Sequence, residues 1–200
     1  VGKTTTSINV AACLSRMGFK VVVVDTDPQS SVANWVNDNC LFDVATCPDE
    51  KQIYQVKKTL AGYDYILIDC MPSLGMMTIN ALVASDTVLI PVQAAYLPVK
   101  GLQQLIRTIS MVKKRLNRKL TIQGILLTMV DFRTNYAKDI ASRVRETYGS
   151  KISIFENVIP LSVKVAEASA EGKSIYCHCP NGKVSMAYEN LTQEVLENEK

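Results

Sequence analysis

Several features that define other classes of protein are missing from this 200-residue sequence. It has no apolar run near the roughly 18 residues that a membrane-spanning helix needs, and no secretory signal pattern. It also lacks a Pro/Gly/Ser-rich linker, an internal repeat and a low-complexity segment. The net charge of +3 is too small to mark a dedicated nucleic-acid binder by itself. These absences predict a cytosolic protein with one globular domain over residues 1–200.

Cysteine and histidine are also not arranged as they are in disulfide frameworks or zinc sites. The six cysteines are scattered along the chain, so we expect reduced thiols; they are Cys13, Cys40, Cys47, Cys70, Cys177 and Cys179. The single histidine lies in Cys177-His178-Cys179, but no second Cys/His pair follows at a suitable spacing. An incidental or structural origin of this triplet is therefore favoured over a metal site.

What the sequence does contain is an alternation of strand and helix patterns. A helix is predicted over residues 4–17, and "KVVVVDTD" then has the continuous apolar run of a buried parallel strand. Further strands are predicted at 63–70, 86–92, 120–130 and 151–160. A long amphipathic helix is marked by Leu102, Leu105, Ile106, Ile109, Val112 and Leu116. The pattern predicts an α/β fold with a mostly parallel sheet, in which ligands bind at the carboxyl ends of the strands.

The chain opens with "VGKTTT", which matches the end of a phosphate-binding loop. Gly2 allows close approach of the backbone, Lys3 can reach the β- and γ-phosphates, and the Thr4 hydroxyl can ligate Mg²⁺. Unpaired N–H groups and the helix dipole favour an anion at such a helix start. The alternative is an ordinary Gly-Lys-Thr helix start with no ligand.

Carboxylates follow two of the predicted strands. Asp25 and Asp27 come after the valine run and are followed by Pro28, and Asp69 ends "ILID". These positions suit carboxylates that support Mg²⁺ and water at a phosphate site. The alternative for Asp25 and Asp27 is that they cap the next helical segment.

Together these segments resemble the ParA/Soj partitioning ATPases, a deviant Walker group that also contains MinD and the nitrogenase iron protein. The matching segments, which extend from the first residue to about Tyr188, are "KTTT", "DTDPQ", "IDCMPSLG", "TINALVASDTVLIPVQ", "LLTMVDFRTN" and "VIPLSVKVAEASAEGKSI". The resemblance implies a P-loop NTPase-like fold, with a mostly parallel, twisted sheet that has helices on both faces. Cys70 has no cluster partner, so the iron–sulfur chemistry of the nitrogenase relative is not expected.

The resemblance also implies roles for the residues at the helix start. Gly2, Lys3, Thr4 and Thr5 would bind the nucleotide, with Lys3 catalytic as well, Thr4 on Mg²⁺ and Thr5 at the α-phosphate. In the same way, Asp27 would orient the attacking water, and Asp69 would hold the magnesium shell. Met129 and Pro160 would border the adenine.

At the level of the whole protein, the resemblance implies an ATPase that partitions a plasmid, conjugative element or chromosome. ATP and Mg²⁺ would be the cofactors, and ATP would drive formation of a homodimer that binds DNA without sequence preference. A ParB-like centromere-binding partner would stimulate hydrolysis and reset the cycle. The expected location is the nucleoid in a bacterial cytoplasm.

Two lysines, Lys164 and Lys183, lie where the family often has DNA-binding arginines. Lysine–phosphate contacts give sequence-blind, salt-sensitive affinity, although both lysines also suit an ordinary solvated surface. Leu161 replaces a common arginine, and "YCHCPNGK" replaces a Tyr-Asp-Pro-Arg type of turn, so weaker DNA binding is expected. The basic cluster at 113–119 offers another contact, or is simply the solvated end of a helix.

The family's first strand, leading loop glycines and signature lysine would all precede Val1, so we expect the native protein to carry them. Two other functions stay open. One is a MinD-like membrane-cycling ATPase, although the acidic tail "MAYENLTQEVLENEK" disfavours membrane binding. The other is a nucleotide-binding module without hydrolysis.

Overall fold

The computed structural model describes residues 2–27, 32, 35, 41–94 and 99–198. The strands are β1 (Val21–Asp25), β2 (Asp43–Thr46), β3 (Tyr65–Asp69), β4 (Thr87–Gln93) and β5 (Thr121–Thr128). The helices are α1 (Lys3–Arg16), α2 (Val56–Thr59), α3 (Met76–Ala84), α4 (Val99–Arg115), α5 (Asn135–Tyr148), α6 (Val163–Ala170), α7 (Ile175–His178) and α8 (Lys183–Glu197). A 3-10 turn at Ile53–Gln55 precedes α2. Pro28, Gln29 and Cys40 lie outside the described residues.

The strands form two parallel sheets. One has the order β2-β1-β3, and the other pairs β4 with β5. The register of β1 and β3 places Asp25 opposite Asp69 at their carboxyl ends. The parallel direction predicted from the apolar runs is confirmed, whereas the single sheet is divided into two within the described residues.

Strand β1 is buried on both faces because helices cover both sides of its sheet. Val23 packs with α1 and α8 on one side, and Val24 packs with Ile53 and Met77 on the other. The four valines of β1 are each at most 2% exposed. Burial of each such side chain stabilises the fold by roughly 1.5–3 kcal/mol. The α/β architecture with helices on both faces is confirmed.

The second sheet is covered by α4 and α5. Ile90 and Val92 of β4 share a core with Leu102 and Ile109 of α4, as the predicted apolar stripe requires. Leu116 departs from this stripe, since it is 61% exposed. The helix ends at Arg115, so Leu116 lies in the following turn and no longer points along the buried face.

Two parts of the strand prediction were wrong. Residues 151–160 form only isolated bridges, which join Ile125 to Ile154 and Val130 to Pro160. Pro160 has no N–H to donate to a sheet ladder, which limits pairing at that end. Strand β2 was not predicted, because its four residues are half-exposed or exposed and carry no continuous apolar run.

Candidate phosphate and magnesium site

Gly2 fixes the start of α1 against the carboxyl end of β5. Its φ of 82° lies in the left-handed region, which glycine adopts without the strain of a side chain. A Cβ at this position would lie 3.3 Å from Thr128 Oγ1. The Gly2 carbonyl accepts a hydrogen bond of 2.9 Å from the Thr6 N–H, which closes the first helical turn. The first N–H groups of α1 therefore point out of the helix end at this edge of the sheet.

Asp69 lies directly beside this helix start. Thr4 Oγ1 donates a hydrogen bond of 2.6 Å to Asp69 Oδ2, and Ser7 Oγ donates one of 3.3 Å to Oδ1. The carboxylate is nearly inaccessible, with Asp69 only 4% exposed. The structure thus brings together Thr4 and Asp69, the two residues predicted to hold the metal.

Burial is the largest influence on Asp69, and it raises the pKa of the carboxyl above its ordinary value. The hydrogen bond from Thr4 lowers this pKa, the nearby Asp25 raises it, and Lys3 and Ser7 lower it. The net rise means that the negative charge of Asp69 is incompletely compensated by the protein. An added cation near Asp69 would supply the missing compensation.

Asp25 organises the loop that leads to Asp27. The Asp25 carboxylate accepts hydrogen bonds from the Asp27 N–H at 3.0 Å and from the Val32 N–H at 2.7 Å. Thr26 is fully buried, and its hydroxyl donates to the Asp69 carbonyl at 2.8 Å. These bonds hold the backbone of Asp27 at the carboxyl edge, one residue beyond the Thr26–Asp69 contact. Asp25 therefore has the backbone-capping role, and the water-orienting role of Asp27 stays a prediction.

Met129 and Pro160 lie on adjacent loops at the same edge. Met129 follows Thr128 directly and has a φ of 55°, the one positive value for a non-glycine residue among those described. Val130 bridges Pro160, and its carbonyl accepts a hydrogen bond from the Leu161 N–H. The structure brings both predicted adenine-bordering loops to the β5 end where Gly2 packs, while their contact with a base stays a prediction.

Thr5 occupies the first turn of α1, and its predicted phosphate contact likewise stays a prediction. Its carbonyl accepts a hydrogen bond of 2.8 Å from Asn9 Nδ2, while Asn9 Oδ1 accepts one of 2.8 Å from the Ile175 N–H. Asn9 therefore ties α1 to α7. Neither Asn9 nor Ser7 was predicted from the sequence to be part of the site. The i, i+3 spacing of Thr4 and Ser7 on one helix face is the signal that identifies Ser7.

Lys164 and Lys183 line one cleft of about 260 Å³, together with Pro160 and Leu161. Lys164 Nζ also pairs with Glu167 Oε2 at 2.8 Å, and this hydrogen bond raises the pKa of Lys164. The two predicted DNA-binding residues are thus brought together. One of them already has a carboxylate partner in this structure.

His178 is held by two carboxylates and not by cysteines. Its ring nitrogens lie 3.1 Å from Glu167 Oε2 and 3.1 Å from Glu171 Oε2. Lys164 and then His178 lower the pKa of Glu167, and Lys173 and then His178 lower that of Glu171. Within the described ranges, no group of three or more His, Cys, Asp and Glu side chains is arranged to hold a metal ion. The cysteines that the structure describes are free thiols; they are Cys13, Cys47, Cys70, Cys177 and Cys179.

Among the described residues, no helix combines the length and the apolar character required to cross a bilayer.

Comparison with known proteins gives consistent matches over the whole chain. The AAA domain family matches residues 1–56 and 45–122. The sporulation initiation inhibitor protein Soj of Bacillus subtilis is 36% identical, and the match covers 99% of this chain and 94% of that protein. The chromosome-partitioning ATPase Soj of Thermus thermophilus is 35% identical, with 98% and 91% covered.

Similarity to solved structures supports the same fold. Cobyrinic acid a,c-diamide synthase from Mycobacterium smegmatis, solved with a bound ATP analogue and magnesium, is 25% identical with a TM-score of 0.77. The match covers 99% of this chain and 90% of that one. Over nearly its full length, this chain belongs to the Soj/ParA family of chromosome-partitioning ATPases.

Proposed function

We propose that this protein binds ATP and Mg²⁺ at the carboxyl edge of the sheet and hydrolyses ATP to drive DNA partitioning. The observation that carries the proposal is the contact between Thr4 and Asp69 at the first turn of α1. A helix start with a hydroxyl, a lysine and a buried carboxylate combines the groups that a magnesium–phosphate pair requires. Membership of a family of partitioning ATPases supports the same activity.

The residues at this edge fit a magnesium ion. Mg²⁺ prefers oxygen ligands, and Thr4 and Asp69 present a hydroxyl and a carboxylate within 2.6 Å of each other. Burial raises the pKa of Asp69 despite the nearby Lys3, so a bound cation would further stabilise the ionised carboxylate. Thr4 and Asp69 would hold the ion, which neutralises charge on the phosphates when it is bound.

The other residues of the site position the substrate and the water. Lys3 and the first N–H groups of α1 bind the phosphates, with Gly2 allowing close approach and Thr5 at the α-phosphate. Asp27 accepts a hydrogen bond from the attacking water and orients it toward the γ-phosphate. Met129 and Pro160 border the base. Phosphoryl transfer depends mainly on such positioning and on charge stabilisation.

The Asp27 assignment is tested by Asp27→Ala, with ATP hydrolysis measured on the full-length product of the gene in the presence of DNA and its partner. Hydrolysis should fall by at least about 100-fold while nucleotide affinity changes little, since mutation of a positioning group mainly lowers kcat. Asp139→Ala is the matched control, because Asp139 lies on α5 and is exposed. An unchanged rate in Asp27→Ala would refute the role. If the unmodified protein binds ATP but does not hydrolyse it, the result would favour the alternative function, a nucleotide-binding module without hydrolysis.

We further propose an ATP-dependent homodimer that binds nucleoid DNA in the bacterial cytoplasm and is reset by a ParB-like partner. The shared cleft of Lys164 and Lys183 supports contact with DNA phosphates. Leu161, which is 55% exposed in the same cleft, adds no positive charge, so we expect the affinity for DNA to be modest. Sedimentation with and without ATP tests the dimer. Stimulation of hydrolysis by the centromere-binding protein tests the partner.

Lys183→Gln should weaken DNA binding alike on unrelated sequences and reduce the salt slope by about one, because a lysine–phosphate contact releases counterions. Fluorescence anisotropy with ATP and two DNA sequences measures both effects. Lys151→Gln, at an exposed position away from the cleft, is the control. Equal salt slopes for the two variants would exclude Lys183 from the interface. Cosedimentation with liposomes but not with DNA would instead indicate a MinD-like membrane cycle.

A further inference from the structure

The segment that follows α5 runs beside β5 but leaves it in the middle. At its start, the Phe155 N–H donates to the Ile125 carbonyl of β5 at 3.0 Å. In a regular parallel ladder, the next N–H to reach β5 would be that of Asn157, on the Leu127 carbonyl. The Ile159 N–H donates to this carbonyl instead, at 2.9 Å. Two extra residues are therefore looped out of the pairing with β5, in a loop at 156–158.

Two amides of the loop 156–158 are bound by one carboxylate, that of Glu194 on α8. Glu194 Oε1 accepts a hydrogen bond of 2.8 Å from the Glu156 N–H. Glu194 Oε2 accepts bonds of 3.2 Å from the Asn157 N–H and 2.8 Å from Asn157 Nδ2. The N–H that a regular ladder would give to Leu127 is thus taken by Glu194. Because hydrogen bonds to an ionised carboxylate are roughly twice as strong as neutral ones, Glu194 favours the looped-out arrangement.

The loop determines which residue meets the end of β5. Pro160 bridges Val130, and the Leu161 N–H donates to the Val130 carbonyl at 3.0 Å. Without the loop, Pro160 would lie two residues beyond Val130, a displacement of about 6–7 Å at the usual rise of a strand. Phe155 and Ile159 are buried in one core and hold the two ends of the loop. Bulges of this kind are frequent beside functional sites, where they re-aim a side chain.

We propose that Glu194 is a positioning residue for the base of the nucleotide, because it holds the loop 156–158 out of the ladder and so places Pro160. This role rests on the proposed function, in which Pro160 borders the base. Glu194 acts only through the backbone and side chain of the loop. The phosphates bind elsewhere, at the start of α1, where Thr4 contacts Asp69. Loss of Glu194 should therefore separate binding of the base from binding of the phosphates.

The test measures binding and hydrolysis of ATP with Mg²⁺ by the full-length product of the gene, for Glu194→Ala and Glu194→Gln. Inorganic tripolyphosphate, which has a chain of three phosphates and no base, is the second ligand. Glu197→Ala is the matched control, because Glu197 is exposed one turn further along α8. Hydrogen exchange at the Glu156 and Asn157 amides is followed without nucleotide.

In Glu194→Ala the Kd for ATP should rise by about 10-fold, the loss of roughly one contact to the base, while kcat changes by less than about 2-fold. The Kd for tripolyphosphate should stay the same, a split that general destabilisation would not produce. Exchange of both loop amides should become about 10-fold faster. Glu194→Gln retains one acceptor oxygen, so its Kd for ATP should rise by only about 3-fold. This milder variant provides the test if Glu194→Ala does not fold.

Equal weakening of ATP and tripolyphosphate would show a structural role alone and overturn the proposal. Unchanged affinity for ATP in both Glu194 variants, or exchange at the Glu156 and Asn157 amides as slow as in Glu197→Ala, would also overturn it. By contrast, failure of the unmodified protein to bind ATP would overturn the proposed function together with this role.

Discussion

Removal of the Thr4 hydroxyl tests how far the start of α1 depends on the buried Asp69 carboxylate. In Thr4→Ala the 2.6 Å hydrogen bond to Asp69 Oδ2 is lost, and water has little access to replace it because Asp69 is 4% exposed. A hydrogen bond to a charged group contributes about 1.5–3 kcal/mol. A loss of about 2 kcal/mol lowers the Tm of a domain of this size by about 4–8 °C.

Urea unfolding at pH 7 without nucleotide measures this loss, with thermal unfolding as the second readout. Thr4→Ser is the matched control, because it retains the hydroxyl and removes only a methyl group. We expect it to stay within about 1 kcal/mol of the unmodified chain, as most mild substitutions do. The longer 3.3 Å contact from Ser7 remains in both variants and does not substitute for Thr4.

The Asp69→Asn background separates this bond from other effects of Thr4→Ala. Burial raises the pKa of Asp69 in the folded chain, so its contribution to stability is present at low pH and is lost as pH rises through that pKa. Asp69→Asn removes the charge and keeps an acceptor, so it should be at least as stable as the parent at pH 7. Thr4→Ala should then cost about 1 kcal/mol less, because neutral hydrogen bonds are weaker. An equal cost in both backgrounds would refute the reasoning.

Three further predictions concern the backbone and the helix contacts around the site. Gly2→Ala should destabilise the chain by about 1–2 kcal/mol in urea unfolding, since φ is 82° and a Cβ meets Thr128, whereas Gly62→Ala, with open space, should change it little. Asn9→Ala should cost about 1–3 kcal/mol because it leaves the buried Ile175 N–H without its acceptor; a loss below about 0.5 kcal/mol would contradict this. Because Lys173 and then His178 lower the pKa of Glu171, the stabilising contacts of Glu171 should be lost as pH falls through that pKa; the stability difference from Glu171→Gln should shrink over that range, and a constant difference would disprove the link.

The parts of the fold that follow from local sequence were predictable. The four valines of β1 specify a buried parallel strand, and the apolar run before Asp69 specifies a parallel strand that is half-buried up to Ile68, because both runs are hydrophobic on both faces. Strand β2 was not predicted because its residues are half-exposed or exposed and have no apolar run. It is a strand through its pairing with β1, which a local sequence pattern does not reveal. Residues 151–160 have an apolar pattern but form only isolated bridges, to Ile125 of β5 and to Val130 beyond the end of β5.

The candidate site shows the same division. Gly2, Lys3 and Thr4 were found from their spacing, and Asp69 from its position after a strand. The sequence did not determine the role of Asp25. Its carboxylate accepts a hydrogen bond from the N–H of Val32, seven residues later, and a contact over that separation depends on the tertiary structure. The pairing of Lys164 with Glu167 is a choice of side-chain rotamer, which no residue pattern specifies.

Helix α1 contacts both sheets at its first turn, through Thr128 on one side and Asp69 on the other. The first turn of α1 therefore affects both the spacing between the two sheets and the shape of the phosphate site. By thermodynamic reciprocity, a ligand that binds this turn more tightly at one spacing of the two sheets also favours that spacing by the same factor. Ligand affinity at Lys3 and the spacing of the two sheets are therefore linked by a single coupling free energy.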